Sequence, residues 1–421
     1  MTTPNVLDEL EWRGLVAHST DRDALRAALG EGSVRFYVGF DPTAPSLHMG
    51  NLVQLVTARR LQEAGHTPYI LVGGATGMIG DPRDSGERTL NSLDTVKEWT
   101  ERVRTQVSRF VSFEGTNAAS TVNNYDWTAS LSVIDFLRDI GKHFPVNRML
   151  ARDTVKRRLE SGISYTEFSY VLLQSMDYLN LFREHGVSLQ FGGSDQWGNI
   201  TGGAELVRRV TGESVYAFAT PLITKTDGTK YGKTEGGALW LDGEMMSPYA
   251  FHQFWLNVED EKVGELLRIF TFLSREEIED LEQQTAEKPF LRAGQKRLAD
   301  EVTALVHGAE EVEQAKAAAA ALFGGGDLRE ISAATLGAAL RETGGTTVPA
   351  GELPGIVDLL VTAGLASSKG DARRTVTEGG AYLNNARVED PELRPTADDL
   401  VAGCWLVLRR GKKKFAGVEV R

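Results

Sequence analysis

Residues 34–51 read VRFYVGFDPTAPSLHMGN, a short β-rich apolar run (34–40), a turn stiffened by Pro42 and Pro45, and the start of a helix. That helix is predicted from about Asn51 to Ala64, and a second apolar run, TPYILVG (67–73), follows it, which makes a βαβ unit. Strand-like runs recur at 121–127, 187–192 and 219–224, separated by helical stretches. Alternation of this kind predicts an α/β fold, a parallel sheet covered on both faces, with ligands taken at the carboxyl ends of its strands.

Beyond this region the pattern changes. From Ser247 to about Leu322 apolar residues recur at helical spacing, as in VGELLRIFTFL and EEVEQAKAAAAALF, and predict an all-α domain. A Gly/Thr-rich stretch over 324–352 with weak periodicity predicts a linker. The last block predicts two short helices and a small β-region, with RRGKKK (409–414) at a hairpin turn.

With 421 residues the chain is long enough for two or three domains, which excludes a lone binding module. Net charge is −12, against bulk electrostatic coating of nucleic acid. The charge is uneven, because 11 basic and 9 acidic residues fall in 355–421 and leave −14 for the rest. The one cysteine, Cys404, sits in an apolar run, cannot form an internal disulfide and suits a reducing, cytoplasmic compartment. No apolar run approaches the ~20 residues of a membrane span, and the opening MTTPNVLDELEWRG resembles neither a secretory signal nor a transit peptide. The expectation is a whole mature chain with no membrane partner.

Two motifs carry most of the chemistry. In DPTAPSLHMGN (41–51), Gly50 lets a ligand approach the backbone, the helix start offers N–H groups to a phosphate, and Thr43 and His48 can donate hydrogen bonds. The same polar residues would equally serve to cap the helix. In KTDGTKYGKT (225–234), Lys230 and Lys233 could neutralise developing pyrophosphate charge, or could be solvated loop lysines. A His/Gly turn after the first strand together with a Lys-Gly-Lys-Thr loop after the last is far more specific than either alone. In FSYVLLQSMDYL (168–179), Tyr170, Gln174 and Asp177 share one helical face, which must meet solvent or a polar ligand. GGSDQWGN (192–199) is a glycine-rich strand-to-helix junction, with a helix N-cap expected at Asn199 or Thr201.

Taken together, His48-Met49-Gly50-Asn51 and Lys230-Tyr231-Gly232-Lys233-Thr234 resemble the two signatures of class I aminoacyl-tRNA synthetases, His-x-Gly-His and Lys-Met-Ser-Lys-Ser. Asn51 stands where the signature has its second histidine. YVGFDPTAPSLHMGN, LVGGATGMIGDP, TEFSYVLLQ, LQFGGSDQWGNI and TKTDGTKYGKTEGG resemble, in order and spacing, the bacterial tyrosyl members of that family, over essentially the whole chain.

The resemblance implies a Rossmann-like catalytic domain (1–235, with a dimerisation insertion at about 115–170), a helical anticodon-side domain (236–325), a linker (326–352) and a small α+β, S-four-like RNA-binding domain (353–421). It implies that Asp81, Tyr170 and Gln174 hold the substrate ammonium, that Tyr37 and Asp177 receive the phenol, and that Gln196, with Asp195, lies near the ribose and tyrosyl moieties. It further implies ATP contacts from Gly39, Asp41, His48, Gly50, Asn51, Gly193, Asp195 and Lys233, with Thr43, His48, Asn51, Lys230, Lys233 and Thr234 acting in catalysis. Lys369, Arg373, Arg374, Arg409, Arg410, Lys412, Lys413 and Lys414 would contact RNA. The implied reaction joins tyrosine to tRNA(Tyr) through an adenylate, with ATP and Mg²⁺ as substrate, no resident cofactor and a homodimeric enzyme. No Cys/His zinc constellation is present in the sequence. The rivals are a tryptophanyl-tRNA synthetase, a cofactor-synthesis nucleotidyltransferase and a non-catalytic RNA-binding protein derived from a synthetase.

Overall fold

The computed structural model describes residues 5–82, 91–229, 231–234, 237–324, 326–342, 345–351, 353–411 and 414–421, and of 233, 234, 237, 323 and 324 the backbone alone. Lys230, Lys412 and Lys413 lie outside the described residues. The chain divides into two compact units, Met1–Asp242 with Asp260–Glu287, and Gly243–Glu259 with Lys288–Arg421.

The first unit is built on a six-stranded sheet of β1 (His18–Ser19), β2 (Arg35–Phe40), β3 (Thr67–Val72), β4 (Ser120–Asn123), β5 (Leu189–Gly193) and β6 (Tyr216–Thr220), in the order β1-β6-β5-β2-β3-β4. All neighbours are parallel except the short edge strand β1, which runs antiparallel to β6. The near-continuous apolar run of β2 follows from burial on both faces: Phe36, Tyr37, Val38 and Phe40 are all buried. The last strand lies at 216–220 rather than the expected 219–224, because Pro221 has no N–H to extend the ladder.

Strand order reverses between β2 and β5, and their ladder joins only Phe36 to Leu189 and Tyr37 to Gln190. By contrast, β2 stays paired with β3 to Phe40, and β5 with β6 to Gly193. The two central strands therefore part beyond Tyr37 and Gln190, which opens a crevice at their carboxyl ends. The helix Met49–Glu63 follows β2. The 21-residue helix Tyr165–His185, capped by Ser164 at one end and by left-handed Gly186 at the other, packs Val171, Met176, Tyr178 and Leu181 into the core. Two very short strands, β7 (Lys233–Thr234) and β8 (Gly237–Ala238), pair antiparallel beyond the sheet.

Residues 260–287, expected in the helical domain, belong instead to the first unit. The helix Asp260–Phe270 ends on two arginines from elsewhere in that unit: Arg13 donates to the carbonyls of Arg268 (2.9 Å), Thr271 (3.0 Å) and Leu273 (2.7 Å), and Arg60 to those of Ile269 (3.2 Å) and Thr271 (2.5 Å). Cationic donors satisfy the carbonyls left open at a helix C-terminus, and contacts so distant in sequence leave no local pattern. A second buried charge is the ion pair between Arg158 and Glu167 (3.0 Å), whose side chains are 5% and 2% exposed. Arg158→Met leaves the Glu167 carboxylate buried without a counter-charge and is expected to cost ~3–5 kcal/mol of unfolding free energy in urea titrations, most of it recovered when Glu167 is also made Met.

The second unit holds helices Pro248–Leu256, Ala293–His307, Ala309–Gly324 and Ala333–Glu342, and a five-stranded sheet. The sheet contains β9 (Thr346–Val348), β10 (Ala381–Leu383), β11 (Ala386–Arg387), β12 (Trp405–Arg410) and β13 (Lys414–Val420), in the order β11-β10-β12-β13-β9. The expected linker over 326–352 is not one. It contains a 3-10 turn (Leu328–Glu330), the helix Ala333–Glu342 and β9, which pairs parallel with β13. Leu328, Ile331, Leu336 and Leu340 share a core with Ala318, Leu322 and Trp405, so few but fully buried apolar residues fix a segment whose glycines and threonines read as loop. Helices Ile356–Thr362 and Lys369–Thr377 precede the β10–β13 strands as expected, and β12 and β13 form a hairpin closed by the pair Arg410–Lys414.

Candidate active site

The crevice is a cleft of about 480 Å³, lined from β2 and its turn (Tyr37, Gly39, Asp41, Thr43, His48, Gly50, Asn51), from the long helix (Tyr170, Gln174, Asp177), and from Asp81, Gly193, Asp195 and Gln196. Tyr231 and Gly232 of the lysine-rich loop complete it. Every expected tyrosine- or ATP-site residue whose side chain is described therefore lies on one surface.

The two motifs meet through backbone hydrogen bonds. Met49 N donates to Leu239 O (2.9 Å), Leu241 N to Leu47 O (2.9 Å) and Leu239 N to Gly232 O (2.8 Å), and His48 forms an isolated bridge with Trp240. Gly232 has φ +79°, and a Cβ there would come within 3.0 Å of Met49 Sδ, so the approach requires glycine. The backbone of Lys233 and Thr234, in β7, continues from this junction.

His48 is the N-cap of the helix Met49–Glu63. Its Nδ1 accepts from Gly50 N (3.0 Å), and Asn51 Oδ1 accepts from His48 N (3.0 Å). Capping is thus one task of His48, and an acceptor Nδ1 puts the proton of a neutral ring on Nε2. By contrast, the helix after GGSDQ begins at Trp197, with Gln196 at its N-cap position and no side-chain cap. The amide of Asn199, expected to cap, is used elsewhere.

At the floor of the cleft the polar groups are linked. Tyr170 OH donates to Asp41 Oδ2 (2.6 Å) and Thr76 Oγ1 to Asp41 Oδ1 (2.6 Å). Asp177 accepts from Trp127 Nε1 (2.9 Å) and Asn124 Nδ2 (3.0 Å), and Asn124 Nδ2 also reaches Thr76 Oγ1 (2.9 Å). Burial drives Asp177 toward its neutral form, up to about 7, with Asn124 and Trp127 opposing that shift. Burial also raises Asp81, opposed by hydrogen bonds from Gln196 Nε2 (2.8 Å) and Asn199 Nδ2 (3.1 Å). Among the described residues that line the cleft, four buried polar atoms have no hydrogen-bond partner: Tyr37 OH, Gln54 Oε1, Gln174 Oε1 and Gln190 Oε1. The Tyr37 ring packs edge-on against Tyr178 at 5.2 Å, so this residue serves both core and cleft.

Thr76, Asn124, Trp127, Gln190 and Asn199 were not among the expected site residues. A glutamine inside the apolar run VSLQF, and the polar cluster NNYDW directly after a strand, are the signals that point to Gln190, Asn124 and Trp127. Among the described residues, no group of three or more His, Cys, Asp or Glu is placed to hold a metal ion.

Gly73, at the end of β3, shows how tightly this network is held. A Cβ there would overlap Asp41 Oδ1 and Thr76 Oγ1. Gly73→Ala is expected to displace Asp41 from Tyr170, to lower stability by ~1–3 kcal/mol and to raise KM for the amino acid, measured by thermal unfolding and by steady-state kinetics.

In the second unit, four of the expected RNA-contacting residues make ion pairs: Lys369 with Asp358 (2.6 Å), Arg373 with Glu392 (2.5 Å), Arg374 with Asp371 (3.3 Å) and Arg410 with Asp371. Arg410 makes a fork of bonds to Asp371 (2.8 and 2.9 Å) and a further bond to Leu365 O (2.9 Å), which gives it a structural task. Arg409 lies over the Tyr382 ring at 4.3 Å.

Residues 30–324 match the family model "tRNA synthetases class I (W and Y)", and 340–418 match the model of a tyrosine–tRNA ligase C-terminal domain. The chain is 60% identical over 419 residues to the tyrosine–tRNA ligase of Streptomyces coelicolor, covering 99% of each chain, and 59% identical to that of Nocardia farcinica, covering 98% of each. Among solved structures it is similar to a C-terminally truncated mitochondrial tyrosyl-tRNA synthetase of Aspergillus nidulans, with 30% identity, a TM-score of 0.67, and coverage of 74% of this chain and 92% of that one. The chain belongs to the class I tRNA synthetases of the tryptophan and tyrosine type, and within them to the tyrosine–tRNA ligases.

Proposed function

We propose that this chain activates tyrosine with ATP to tyrosyl-adenylate and pyrophosphate, then passes the tyrosyl group to the 3′-terminal adenosine of tRNA(Tyr). The observation that carries this reading is the cleft floor, where the buried Tyr37 hydroxyl has no partner and the Asp177 carboxylate stands ready to accept. Such a pair calls for a ligand hydroxyl that donates to Asp177 and accepts from Tyr37, which is what a phenol offers.

At the other end, three acceptors suit the three N–H groups of an ammonium. They are the Asp81 carboxylate, the unpartnered Gln174 Oε1, and Tyr170 Oη, whose own proton is directed to Asp41. Gln196 supports Asp81.

Activation consists of attack by the tyrosine carboxylate on the α-phosphorus, with pyrophosphate leaving. In transfer, a ribose hydroxyl of the tRNA attacks the mixed anhydride and AMP leaves. Neither step needs a nucleophile on the protein, so catalysis rests on positioning and on neutralising the leaving pyrophosphate. Thr43 and the Nε2–H of His48 act from one side of the cleft, and Lys230, Lys233 and Thr234 from the loop. Gly39, Asp41, Gly50, Asn51, Gly193 and Asp195 surround the nucleotide, and Mg²⁺ arrives with ATP as MgATP.

The basic residues Lys369, Arg373, Arg374, Arg409, Lys412, Lys413 and Lys414 serve RNA binding, within the range matched by the C-terminal family model. Homodimerisation through the 115–170 insertion is supported by Val133, Ile134 and Val146, which are 72%, 70% and 60% exposed, with Leu137 and Leu150 beside them in sequence. No described helix is long and apolar enough to cross a membrane, and the reading places the enzyme in the bacterial cytoplasm. Charging of unfractionated bacterial tRNA with labelled tyrosine tests the whole reaction. Acid-precipitable label that mild alkali releases is expected, and its absence with active ATP and tRNA overturns the transfer step.

A further inference from the structure

A second cavity, of about 500 Å³, adjoins the cleft and shares Asp81 and Asp195 with it, while Arg152, Trp197 and Asn199 line the second cavity and not the first. Asn199 is 6% exposed and makes three hydrogen bonds. Its Nδ2 donates to Asp81 Oδ1 (3.1 Å) and Gln196 Oε1 (3.0 Å), and its Oδ1 accepts from Arg152 Nη2 (2.7 Å). Gln196 in turn donates to Asp81 Oδ2 (2.8 Å), which closes a ring of three side chains.

Arg152 is itself constrained, because a Cβ on Gly198 would come within 2.6 Å of its Nη2, so the guanidinium lies directly against the backbone of the helix that carries Asn199. The contact with Arg152 also fixes which way the Asn199 amide points: its carbonyl must face the guanidinium, so its NH₂ must face Asp81 and Gln196.

We propose that Arg152 and Asn199 are positioning residues for the ammonium end of tyrosine. Asn199, together with Gln196, holds Asp81 in the orientation that accepts the ammonium, and Arg152, from the neighbouring cavity, holds Asn199 in the one amide orientation that can do so. Neither residue touches the substrate. The inference rests on the tyrosine-activating reading above. It is distinct from mere packing because it concerns one end of the ligand: loss of Asn199 loosens Asp81 while Tyr37 and Asp177 keep their places.

The test uses the full-length protein and two ligands, tyrosine and its des-amino analogue 3-(4-hydroxyphenyl)propanoate, in tyrosine-dependent ATP–pyrophosphate exchange. Asn199→Ala is expected to raise KM for tyrosine about tenfold or more while KM for ATP stays within about twofold. The inhibition constant of the des-amino analogue, which has no ammonium, should be unchanged. Arg152→Met should move tyrosine in the same direction, Arg152→Lys should restore much of the loss, and the double variant should be no worse than Asn199→Ala, as expected of residues acting in series.

Should Asn199→Ala fail to fold, Arg152→Met carries the same comparison. Equal weakening of tyrosine and of the des-amino analogue would overturn the proposal in favour of a general structural role, as would a tyrosine KM unaffected by either substitution. Failure of the underlying reading is distinguishable, because the unsubstituted protein would then show no tyrosine-dependent exchange at all.

Discussion

Tyr37→Phe is expected to lower kcat/KM for tyrosine about tenfold and at the same time to raise it for phenylalanine, so that discrimination between the two falls from both sides. The Tyr37 hydroxyl is buried and has no hydrogen-bond partner among the described residues. In the proposed binding mode tyrosine satisfies it, whereas phenylalanine leaves it and one lone pair of Asp177 without a hydrogen bond. Removing the hydroxyl deletes one contact for tyrosine and one orphan for phenylalanine.

Asp177→Asn is the larger change, on the order of 10² in kcat/KM for tyrosine, because a charge-assisted acceptor is replaced by a neutral one. Its pH behaviour is a separate signature. Burial lifts Asp177 to about 7, so the accepting carboxylate is lost as pH falls through about 7 rather than near the usual 4. In the free enzyme, kcat/KM for tyrosine is expected to drop about tenfold per pH unit below that point, and Asp177→Asn should remove that limb. Exchange kinetics from pH 5.5 to 8.5 with both amino acids measure these effects together.

The second large effect concerns the leaving pyrophosphate. Lys233→Ala and His48→Ala are each expected to reduce the exchange kcat by roughly 10²–10³, with little change in KM for tyrosine, as is usual when a preorganised donor to developing charge is removed. His48 meets the preorganisation requirement through its Nδ1 bond to Gly50, which fixes the ring on the helix end. Lys233 stands in β7 opposite Ala238, one residue past the Gly232–Met49 contact, so its backbone adjoins the turn that carries His48. Because His48 also caps its helix, His48→Ala carries a stability loss of ~1 kcal/mol that Lys233→Ala does not, and thermal unfolding separates the two contributions.

How much of this was legible in the sequence depended on the reach of each signal. Apolar runs and helical spacing are local, so the βαβ start, the parallel sheet and the C-terminal hairpin could be read from residues 34–73 and 355–421. The single face shared by Tyr170, Gln174 and Asp177 was also local, being a property of one helix. Features set by long-range partners were not legible. The helix at 260–270 joins the first unit through Arg13 and Arg60, more than two hundred residues earlier, and β9 was hidden in a stretch whose glycines outweigh its few buried leucines. The same holds inside the site. Asn124 and Trp127 support Asp177 from fifty-three and fifty residues away, and Arg152 reaches Asn199 across forty-seven. Motifs name candidate ligand-contacting residues, and the side chains that orient those residues emerge only from the fold.

The most direct test of the central claim is exchange of labelled pyrophosphate into ATP, measured separately with tyrosine, phenylalanine and tryptophan. Exchange with tyrosine, and far weaker exchange with the other two, is the predicted result, because only tyrosine brings the hydroxyl that Tyr37 and Asp177 leave unanswered. Exchange led by tryptophan or phenylalanine, or no exchange from folded protein with any of the three, would contradict the account.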